Sequence, residues 1–308
     1  MRTKSGRKSA YFRLFGERYR INDCVAAGVF TLPAVILGLV FVITPMVISL
    51  GFAFTDAGLL KLDAVKFNNF ANFKSLIGDN ILWQAFKNTM EFVVKVVPLQ
   101  MTMAVVLALI LNSNIKFNTF FRWAFFCPVM LSLAVTSMLW MNLLNEQDGL
   151  INAFIEALGG TRQGFLSDPK QAMNVIVVIS AWQGAGYQML IILSALKNIP
   201  KEMYEAASLD GSSGWNTFWK ITLPSIMPTF SFTLVTMLIG AFRLITQPMI
   251  MTGGGPVDKT LTMSYYIYKQ GITYRDVGYS SAIALVYTVF MATISLTLRK
   301  LTEKDNTQ

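Results

Sequence analysis

Six long apolar segments constrain this chain more than any other feature. A helix needs about 20 mostly apolar residues to cross a bilayer. Segments of that length and composition lie near residues 25–54, 86–111, 120–143, 173–196, 225–250 and 279–299. We therefore predict an all-α membrane protein with six transmembrane helices.

The overall composition agrees with a polytopic membrane protein. Of the 308 residues, 54% are hydrophobic and 14% are charged, and the mean hydropathy is +0.49, far from the balance of soluble domains. The formal net charge of +9 also suits nucleic-acid binding. Here, however, the basic residues cluster beside apolar segments, as they do on the cytoplasmic side of membrane proteins. We expect contact with membrane lipid and none with nucleic acid.

Charge bias orients the spans. Residues 1–23 are strongly basic, so we predict a cytoplasmic N-terminal tail, and six spans return the C-terminal tail, 303–308, to the same side. Residues 24–302 between them form a single transmembrane domain. The connection 144–172 carries more acidic than basic residues and is predicted to be external, which places the connection 197–224 in the cytoplasm. The first span is too long for a signal peptide and lacks a small-residue cleavage pattern.

The sequence excludes several kinds of chemistry. It contains no histidine, and its two cysteines, Cys24 and Cys127, lie at or inside apolar segments, so we expect neither a metal site nor a catalytic triad. The glycine-rich segment 253–260 superficially resembles a phosphate-binding loop, but that motif needs a glycine immediately before its lysine, and Asp258 stands there. We predict a tight turn at this segment, no cofactor in this chain, and no enzymatic activity.

A few polar residues lie inside the apolar segments. Lys95 follows Glu91 by four residues, so a local ion pair explains it. Arg243 has no acidic residue in its own span, and together with Thr246 and Gln247 it can line a polar cavity. The alternative is that its long side chain reaches the membrane interface or caps backbone carbonyls.

The fourth span carries a second polar set. Trp182, Gln183 and Tyr187 supply amide groups for sugar hydroxyls and flat aromatic faces for a sugar ring. Polar side chains between membrane helices also serve simply to hold helices together. Both interpretations of this set stay open.

The polar connection 197–224 interrupts two apolar segments with a compact folded unit. Pro200 suits the first turn of a helix, and Gly211 suits its end. A second short amphipathic run, Trp215–Ile221, follows, and Pro224 opens the next span. We predict two short helices that form a knob suited to docking on another protein.

This knob resembles the EAA loop of permease subunits from bacterial ABC importers. The resemblance rests on Glu205-Ala206-Ala207, on Asp210-Gly211, and on Ile221 followed by Leu223-Pro224. Other features are similar to permeases of the maltose-transporter type, and the likeness covers nearly the whole chain. They are Leu196-Lys197-Asn198-Ile199-Pro200, Phe242-Arg243-Leu244, Thr252-Gly253-Gly254-Gly255-Pro256, Asn69-Phe70, Asn72-Phe73 and Asn88-Thr89.

The resemblance implies a function and a set of partners. A five-helix core with an extra N-terminal span would pair with a second permease in the bacterial inner membrane. It would carry a sugar or related solute delivered by an extracytoplasmic binding protein. A cytoplasmic ATPase dimer would hold ATP and Mg. The implied ATPase-coupling residues are Glu205 for charge pairing, Ala206, Ala207 and Gly211 for close approach, and Asp210, Leu223 and Pro224. The implied binding-protein contacts are Gly253, Gly254, Gly255 and Pro256.

One position departs from the family pattern. Many relatives carry an acidic residue where Thr246 stands, so Arg243 lacks an obvious counter-ion. This departure favours an anionic solute such as a uronate or a phosphorylated polyol. The main alternative function is an ion-coupled secondary transporter, which would need acidic residues at mid-membrane and repeat symmetry between its halves. Neither feature is evident in the sequence.

Overall fold

A computed structural model of the chain describes residues 11–14, 17–60, 65–113 and 116–304. Two short antiparallel strands come first, β1 at Tyr11–Leu14 and β2 at Glu17–Arg20, with Tyr11 paired to Arg20. This hairpin lies within residues 1–23, where the sequence predicts only a basic tail. The rest of the described chain is predominantly helical, which confirms the predicted fold class.

Fourteen α-helices follow in the described part of the chain. They are α1 Ile21–Gly38, α2 Thr44–Phe52, α3 Ala71–Gly78, α4 Asn80–Asn112, α5 Asn118–Met130, α6 Leu133–Leu143, α7 Leu150–Ala157, α8 Ala172–Lys197, α9 Lys201–Leu209, α10 Gly214–Thr217, α11 Leu223–Phe242, α12 Thr246–Met251, α13 Met263–Tyr268 and α14 Val277–Lys304. Three π-helical turns extend or join them, Leu39–Ile43, Phe218–Thr222 and Lys269–Thr273.

Five helical segments are long and apolar enough to cross a membrane. They are Gly28–Phe52, Asn80–Asn112, Ala172–Lys197, Gly214–Met251 and Val277–Leu298. The pair α5 and α6 supplies a sixth when it is taken as one broken span. Each predicted span overlaps one of these helical segments, and the third and fifth differ from the single helix that the sequence predicts.

The third segment, 120–143, is not the single straight span that the sequence predicts. Helices α5 and α6 meet at an angle of 96°, because Leu131 and Ser132 between them adopt extended conformations. Pro128 lies in the last turn of α5, where its ring removes a backbone N–H from the helical ladder. The proline therefore weakens the last turn of α5 by leaving the carbonyl of Ala124 without its helical donor.

The fifth segment, 225–250, also differs from the prediction. Helix α11 ends at Phe242, and a short irregular stretch separates it from α12. At its other end, α11 continues backwards through the π-helical turn Phe218–Thr222 into α10. The predicted knob is therefore one short helix, α9, beside a rod of continuous helix that begins at Gly214. Pro224 lies inside this rod, and the wide π turn before it accommodates its missing N–H.

Helices α4 and α8 form the centre of the bundle. They run in the same direction, since Lys95 contacts Asn174 near one end and Gln100 contacts Gln188 further along. Lys95 Nζ also lies 2.6 Å from Glu91 Oε1, so the predicted ion pair is confirmed. The connections between helices place α3, α7, α12 and α13 at one end of the bundle, here called the cap end. Helix α9 lies at the opposite end, here called the α9 end.

Two apolar clusters hold the bundle together. The larger one lies towards the cap end and is centred on Phe92, Ile176 and Phe242. The smaller one lies towards the α9 end and includes Met189, Ile192 and Ile226. Of the first span, the residues whose burial is described, Gly28–Phe52, contribute to neither cluster, and its most apolar stretch is entirely unburied. It contacts the bundle near Ser49, whose hydroxyl bonds Ser281.

Gly186 permits an unusually close approach of α5 and α8. A Cβ atom at this position would lie 2.1 Å from the carbonyl oxygen of Phe125. Small residues commonly allow membrane helices to pack backbone against backbone. The position of α5, and with it the break at Leu131, therefore depends on this glycine.

We predict that Gly186→Ala destabilises the protein by about 1–3 kcal/mol, the usual cost of overpacking a close contact. Thermal unfolding of the detergent-solubilised protein measures the effect. Gly51→Ala is the matched control, because a Cβ at this glycine of α2 meets nothing within 4 Å. The control should be neutral or slightly stabilising. Equal thermal stability of the two variants would contradict the assigned role of Gly186.

Candidate functional site

A polar cavity of about 360 Å³ lies between α4, α8 and the end of α11. Its polar lining residues come from helices α4, α8, α11 and α12 and from the break after α11, and they are Gln100, Ser180, Gln183, Gln188, Thr236, Arg243, Thr246 and Gln247. The structure thus brings together four of the residues predicted for a solute path, namely Gln183, Arg243, Thr246 and Gln247. We call this site the polar cavity.

The break between α11 and α12 shapes the polar cavity. Pro248 has no N–H to donate to the carbonyl of Leu244, and Thr262 Oγ1 donates to that oxygen instead, at 2.6 Å. The carbonyl of Phe242 likewise accepts the hydroxyl of Tyr287 at 2.7 Å and that of Ser264 at 3.1 Å. The sequence predicts Arg243, Thr246 and Gln247 as one stripe on a continuous helix. They share the cavity because the helix is interrupted.

Two hydrogen-bonded pairs tie the walls of the cavity together. Ser180 Oγ donates to Gln247 Oε1 at 2.7 Å, which joins α8 to α12. Gln100 Nε2 donates to Gln188 Oε1 at 3.0 Å, which joins α4 to α8. A Cβ on Gly184 would lie 2.2 Å from Gln100 Nε2, so this glycine makes room for the second pair. Gln100 and Gly184 were missed by the sequence analysis, although an amide in mid-span is a visible signal.

Gln183 has one hydrogen-bonding atom without a partner. Its side chain is 5% exposed, and its Nε2 donates to the carbonyl of Leu131 and to Thr136 Oγ1. A carbonyl only accepts, so the amide nitrogen must face Leu131 and the amide oxygen must face elsewhere. That oxygen, Oε1, is buried and makes no hydrogen bond with any residue that the structure describes.

Arg243 follows the last residue of α11 and is exposed. Among the described residues that line the cavity, it alone is charged. Its backbone N–H bonds the carbonyl of Gly240, but its guanidinium has no hydrogen-bond or ion-pair partner within the described part of the chain. The interpretation in which it caps backbone carbonyls is therefore not what the structure shows.

Trp182 and Tyr187 do not line the polar cavity, contrary to the prediction. Trp182 packs edge to face against Trp140, with ring centroids 5.5 Å apart. Tyr187 lies half-exposed in another cleft, together with Phe126 and Thr229. Trp182 directly precedes the cavity residue Gln183, and Tyr187 directly precedes Gln188. One position along a helix turns a side chain by about 100° around the axis. The amides of the predicted sugar set face the cavity, and the aromatic rings face away from it.

Helix α9 and its C-terminal turn form the second candidate site. The N–H of Ser212 bonds the carbonyl of Ala207, and the N–H of Gly211 bonds that of Ser208, which is the hydrogen-bond pattern of a Schellman motif. Gly211 has a φ of +70°, and a Cβ there would meet nothing within 4 Å. The glycine is therefore required by its backbone conformation, rather than by the close approach of a neighbour.

The predicted coupling residues divide between two faces of this site. Glu205, Ala206 and Asp210 are exposed, as is Pro224, whereas Leu223 is half-buried. Ala207 is 7% exposed and packs within the chain itself, so it does not lie on the surface where close approach to a partner was expected. Leu209 is 90% exposed, and it completes an outward face on α9 that also carries Glu202.

A hydrogen bond connects α9 to the rod that begins at Gly214. The hydroxyl of Tyr204 lies 3.2 Å from Thr222 Oγ1 in the π-helical turn. Trp215 and Trp219 lie on the same rod and are exposed by 71% and 50%. This hydrogen bond links α9 to a continuous helix that ends at Phe242, beside the polar cavity.

The loop 252–262 forms the third candidate site, at the cap end. Gly253 and Gly254 have positive φ angles, and the peptide bond between Gly255 and Pro256 is cis. Gly253 is exposed and Gly255 and Pro256 are half-buried, but Gly254 is buried against Leu261 and Tyr265. Three of the four predicted docking residues are thus at least partly accessible, and Gly254 is an internal packing residue.

Helix α4 anchors this loop. Asn88 Nδ2 donates to the carbonyls of Asp258 and Leu261 at 2.6 and 2.8 Å, and Thr89 Oγ1 accepts the N–H of Met263 at 2.9 Å. Asn88 and Thr89 are fully buried, at 1% and 0% exposure. The predicted tight turn therefore has a fixed shape that depends on α4.

Asp79 joins three elements of the cap end. Its carboxylate accepts the N–H groups of Ile81 and Leu82 at the start of α4, each at 3.0 Å. It also accepts the hydroxyls of Tyr266 and Tyr279, each at 2.6 Å. Partial burial raises the pKa of its carboxyl, but these hydrogen bonds together lower the pKa below its usual value. The carboxylate is therefore ionised at neutral pH and holds α4, α13 and α14 together.

We predict that Asn88→Ala loosens the loop 252–262 selectively. The change leaves two carbonyls without their donor, and a buried unpaired polar group costs about 1–3 kcal/mol. Hydrogen exchange of the amides of Thr260 and Met263 should become at least about tenfold faster. The control is Asn142→Ala, because Asn142 is exposed and bonds only the carbonyl of Met138 in its own helix. Unchanged exchange in the Asn88 variant would contradict the anchor.

Comparisons with known proteins agree on a single family. The family model described as binding-protein-dependent transport system inner membrane component matches residues 100–304. The lactose transport system permease protein LacF of Rhizobium radiobacter is 34% identical over 275 residues, which cover 86% of this chain and 90% of that protein. The probable ABC transporter permease protein YesP of Bacillus subtilis is 36% identical and covers 91% of each.

A solved structure has the same fold. It is the crystal structure of a bacterial ABC transporter involved in the import of the acidic polysaccharide alginate. One of its chains superposes with a TM-score of 0.80 at 23% identity, covering 92% of this chain and 97% of that chain. At this identity, the likeness is evidence for the fold alone.

Proposed function

The chain belongs to the family of binding-protein-dependent transport system inner membrane components, and from that premise we propose that it is the permease subunit of an ATP-driven saccharide importer. The observation that carries this proposal is the continuous helical rod Gly214–Phe242, which links the exposed helix α9 to the polar cavity. The name of the lactose relative supports a saccharide as the solute.

The polar cavity is this chain's part of the solute path. Amides and hydroxyls from α4, α8 and α12 line it, and such groups exchange hydrogen bonds with sugar hydroxyls. A second, homologous permease subunit completes the path. The most apolar stretch of the first span is unburied within this chain and supports an additional protein surface beside it, because membrane helices associate through packing.

Helix α9 is the docking element for a cytoplasmic ATPase dimer. Its outward face carries Glu202 and Glu205 for pairing with basic groups and Leu209 for apolar contact. Gly211 sets the turn after α9, and the Tyr204–Thr222 hydrogen bond transmits displacement to α11. ATP and Mg are held by that separate subunit, and this chain has no enzymatic activity of its own.

The α9 end faces the cytoplasm and the cap end faces outwards. The basic N-terminal tail and the acidic connection 144–172 support this orientation. An extracytoplasmic binding protein docks at the cap end, where Gly253 and Val257–Lys259 form the exposed part of the loop 252–262. Both termini are then cytoplasmic, in the inner membrane of a bacterium.

An ion-coupled secondary transporter is the alternative function. Coupling-ion sites in such transporters lie near mid-membrane, often on acidic side chains. None of the described residues that line the polar cavity is acidic. The cavity chemistry therefore favours ATP-driven import.

Reconstitution of the chain with its co-purified partners in proteoliposomes tests the proposal. Uptake of a saccharide supplied on its binding protein should require ATP on the α9 side and should continue when ionophores remove ion gradients. Each saccharide that is taken up should also stimulate ATP hydrolysis. Uptake that persists without ATP and stops with an ionophore would establish the secondary-transporter alternative instead.

In the same assay, we predict that Gly211→Val lowers saccharide-stimulated ATP hydrolysis and uptake at least about tenfold. A side chain at positive φ costs roughly 1–2 kcal/mol, and a β-branched residue fits there worst, so the turn after α9 is displaced. The matched control is Gly211→Asn, since asparagine tolerates this conformation. Equal coupling in the two variants would show that the turn after α9 does not position the ATPase contact.

A further inference from the structure

We infer that the polar cavity selects saccharides that carry a carboxylate, with Arg243 binding the carboxylate. This inference rests on the proposed function and names the substrate class of that same site. Two features of the cavity support it, its uncompensated charge and the polar groups that line it with Arg243.

The charge of the cavity is positive and uncompensated within this chain. Arg243 is the one charged group among the described lining residues, and its guanidinium has no partner in the described part of the chain. An arginine at membrane depth is costly and normally faces a bundle interior or an aqueous cavity, paired with an anion or with backbone carbonyls. A bound carboxylate supplies that anion, and the planar guanidinium fits it with two parallel hydrogen bonds.

The other polar groups of the cavity add hydroxyl-binding capacity. Thr246 contributes a hydroxyl to the cavity that Arg243 lines, and the hydrogen-bonded pair Ser180–Gln247 lines the same cavity. The cavity volume of about 360 Å³ lies at the low end of the roughly 300–1,000 Å³ of small-molecule sites. This chain therefore contacts one acidic sugar unit of the solute, rather than a long stretch of a polysaccharide.

Thr246 also explains why the positive charge is available. Threonine carries no charge, whereas an aspartate or glutamate at this position would place a negative charge in the cavity that Arg243 also lines. We therefore expect Thr246→Asp to change the preference of the cavity from an acidic saccharide to a neutral saccharide.

The experiment compares two matched disaccharides in the reconstituted complex. Digalacturonate carries a carboxylate at each C6, and galactobiose carries a hydroxymethyl group there. Uptake and stimulated ATP hydrolysis are measured for the unaltered complex and for the Arg243→Gln, Arg243→Lys and Thr246→Asp variants. Lys74→Gln is the control, because this exposed lysine of α3 lies outside the cavity.

We expect the unaltered complex to import digalacturonate in preference to galactobiose. A hydrogen-bonded pair to a charged group is worth about 1.5–3 kcal/mol, so Arg243→Gln and Thr246→Asp should lower kcat/KM for digalacturonate by roughly tenfold or more. Arg243→Lys should keep a larger share of the activity than Arg243→Gln. Lys74→Gln should leave the preference unchanged.

Other outcomes overturn the inference, and they separate it from the proposed function. Import of galactobiose alone would refute the acidic preference while leaving the saccharide permease intact. Arg243→Gln could instead lower kcat/KM equally for both sugars and reduce co-purification of the second permease. That result would assign Arg243 to contact between the subunits. Absence of uptake and of ATPase stimulation by any saccharide would refute the proposed function, and the inference with it.

Discussion

The interruption between α11 and α12 is the constraint on which the rest of this structure depends. A break in a membrane helix leaves carbonyls unpaired, and each would cost several kcal/mol if it faced lipid. Thr262, Ser264 and Tyr287 donate to the freed carbonyls of Phe242 and Leu244. Because these donors come from the cap loop, α13 and α14, the break can exist only when the whole cap end is assembled.

The same break links the two ends of the molecule. On its near side, the rod from Gly214 to Phe242 reaches back to α9, where Tyr204 is bonded to Thr222. On its far side, α12 leads into the loop 252–262, which Asn88 anchors to α4. The proposed ATPase contact, solute cavity and binding-protein contact therefore lie along one continuous stretch of chain. Under the proposed function, a displacement at either end would be transmitted to Arg243, Thr246 and Gln247.

Much of this organisation could be predicted from the sequence, because lipid imposes a simple rule on span length. Apolar length located the spans, and the Glu91–Lys95 spacing gave the ion pair that the structure confirms. Gln183, Arg243, Thr246 and Gln247 were found by the cost of polar groups in a membrane, whereas Gln100 was missed. The break at Leu131, the hairpin β1–β2 and the packing of Trp182 against Trp140 were not found. They depend on long-range packing, and one position along a helix turns a side chain away from its expected neighbour.

Thiol labelling tests most directly whether the polar cavity is the solute path of this chain. With Cys24 and Cys127 replaced by serine, a maleimide reports access to Thr246→Cys in the detergent-solubilised complex. Ser113→Cys, exposed just beyond the far end of α4, is the reference. We expect the imported saccharide, supplied with its binding protein, to slow labelling of Thr246→Cys several-fold and to leave the labelling rate of Ser113→Cys unchanged. Undiminished labelling of Thr246→Cys, in a complex that still imports the saccharide after reconstitution, would contradict the assignment of the polar cavity as the solute path.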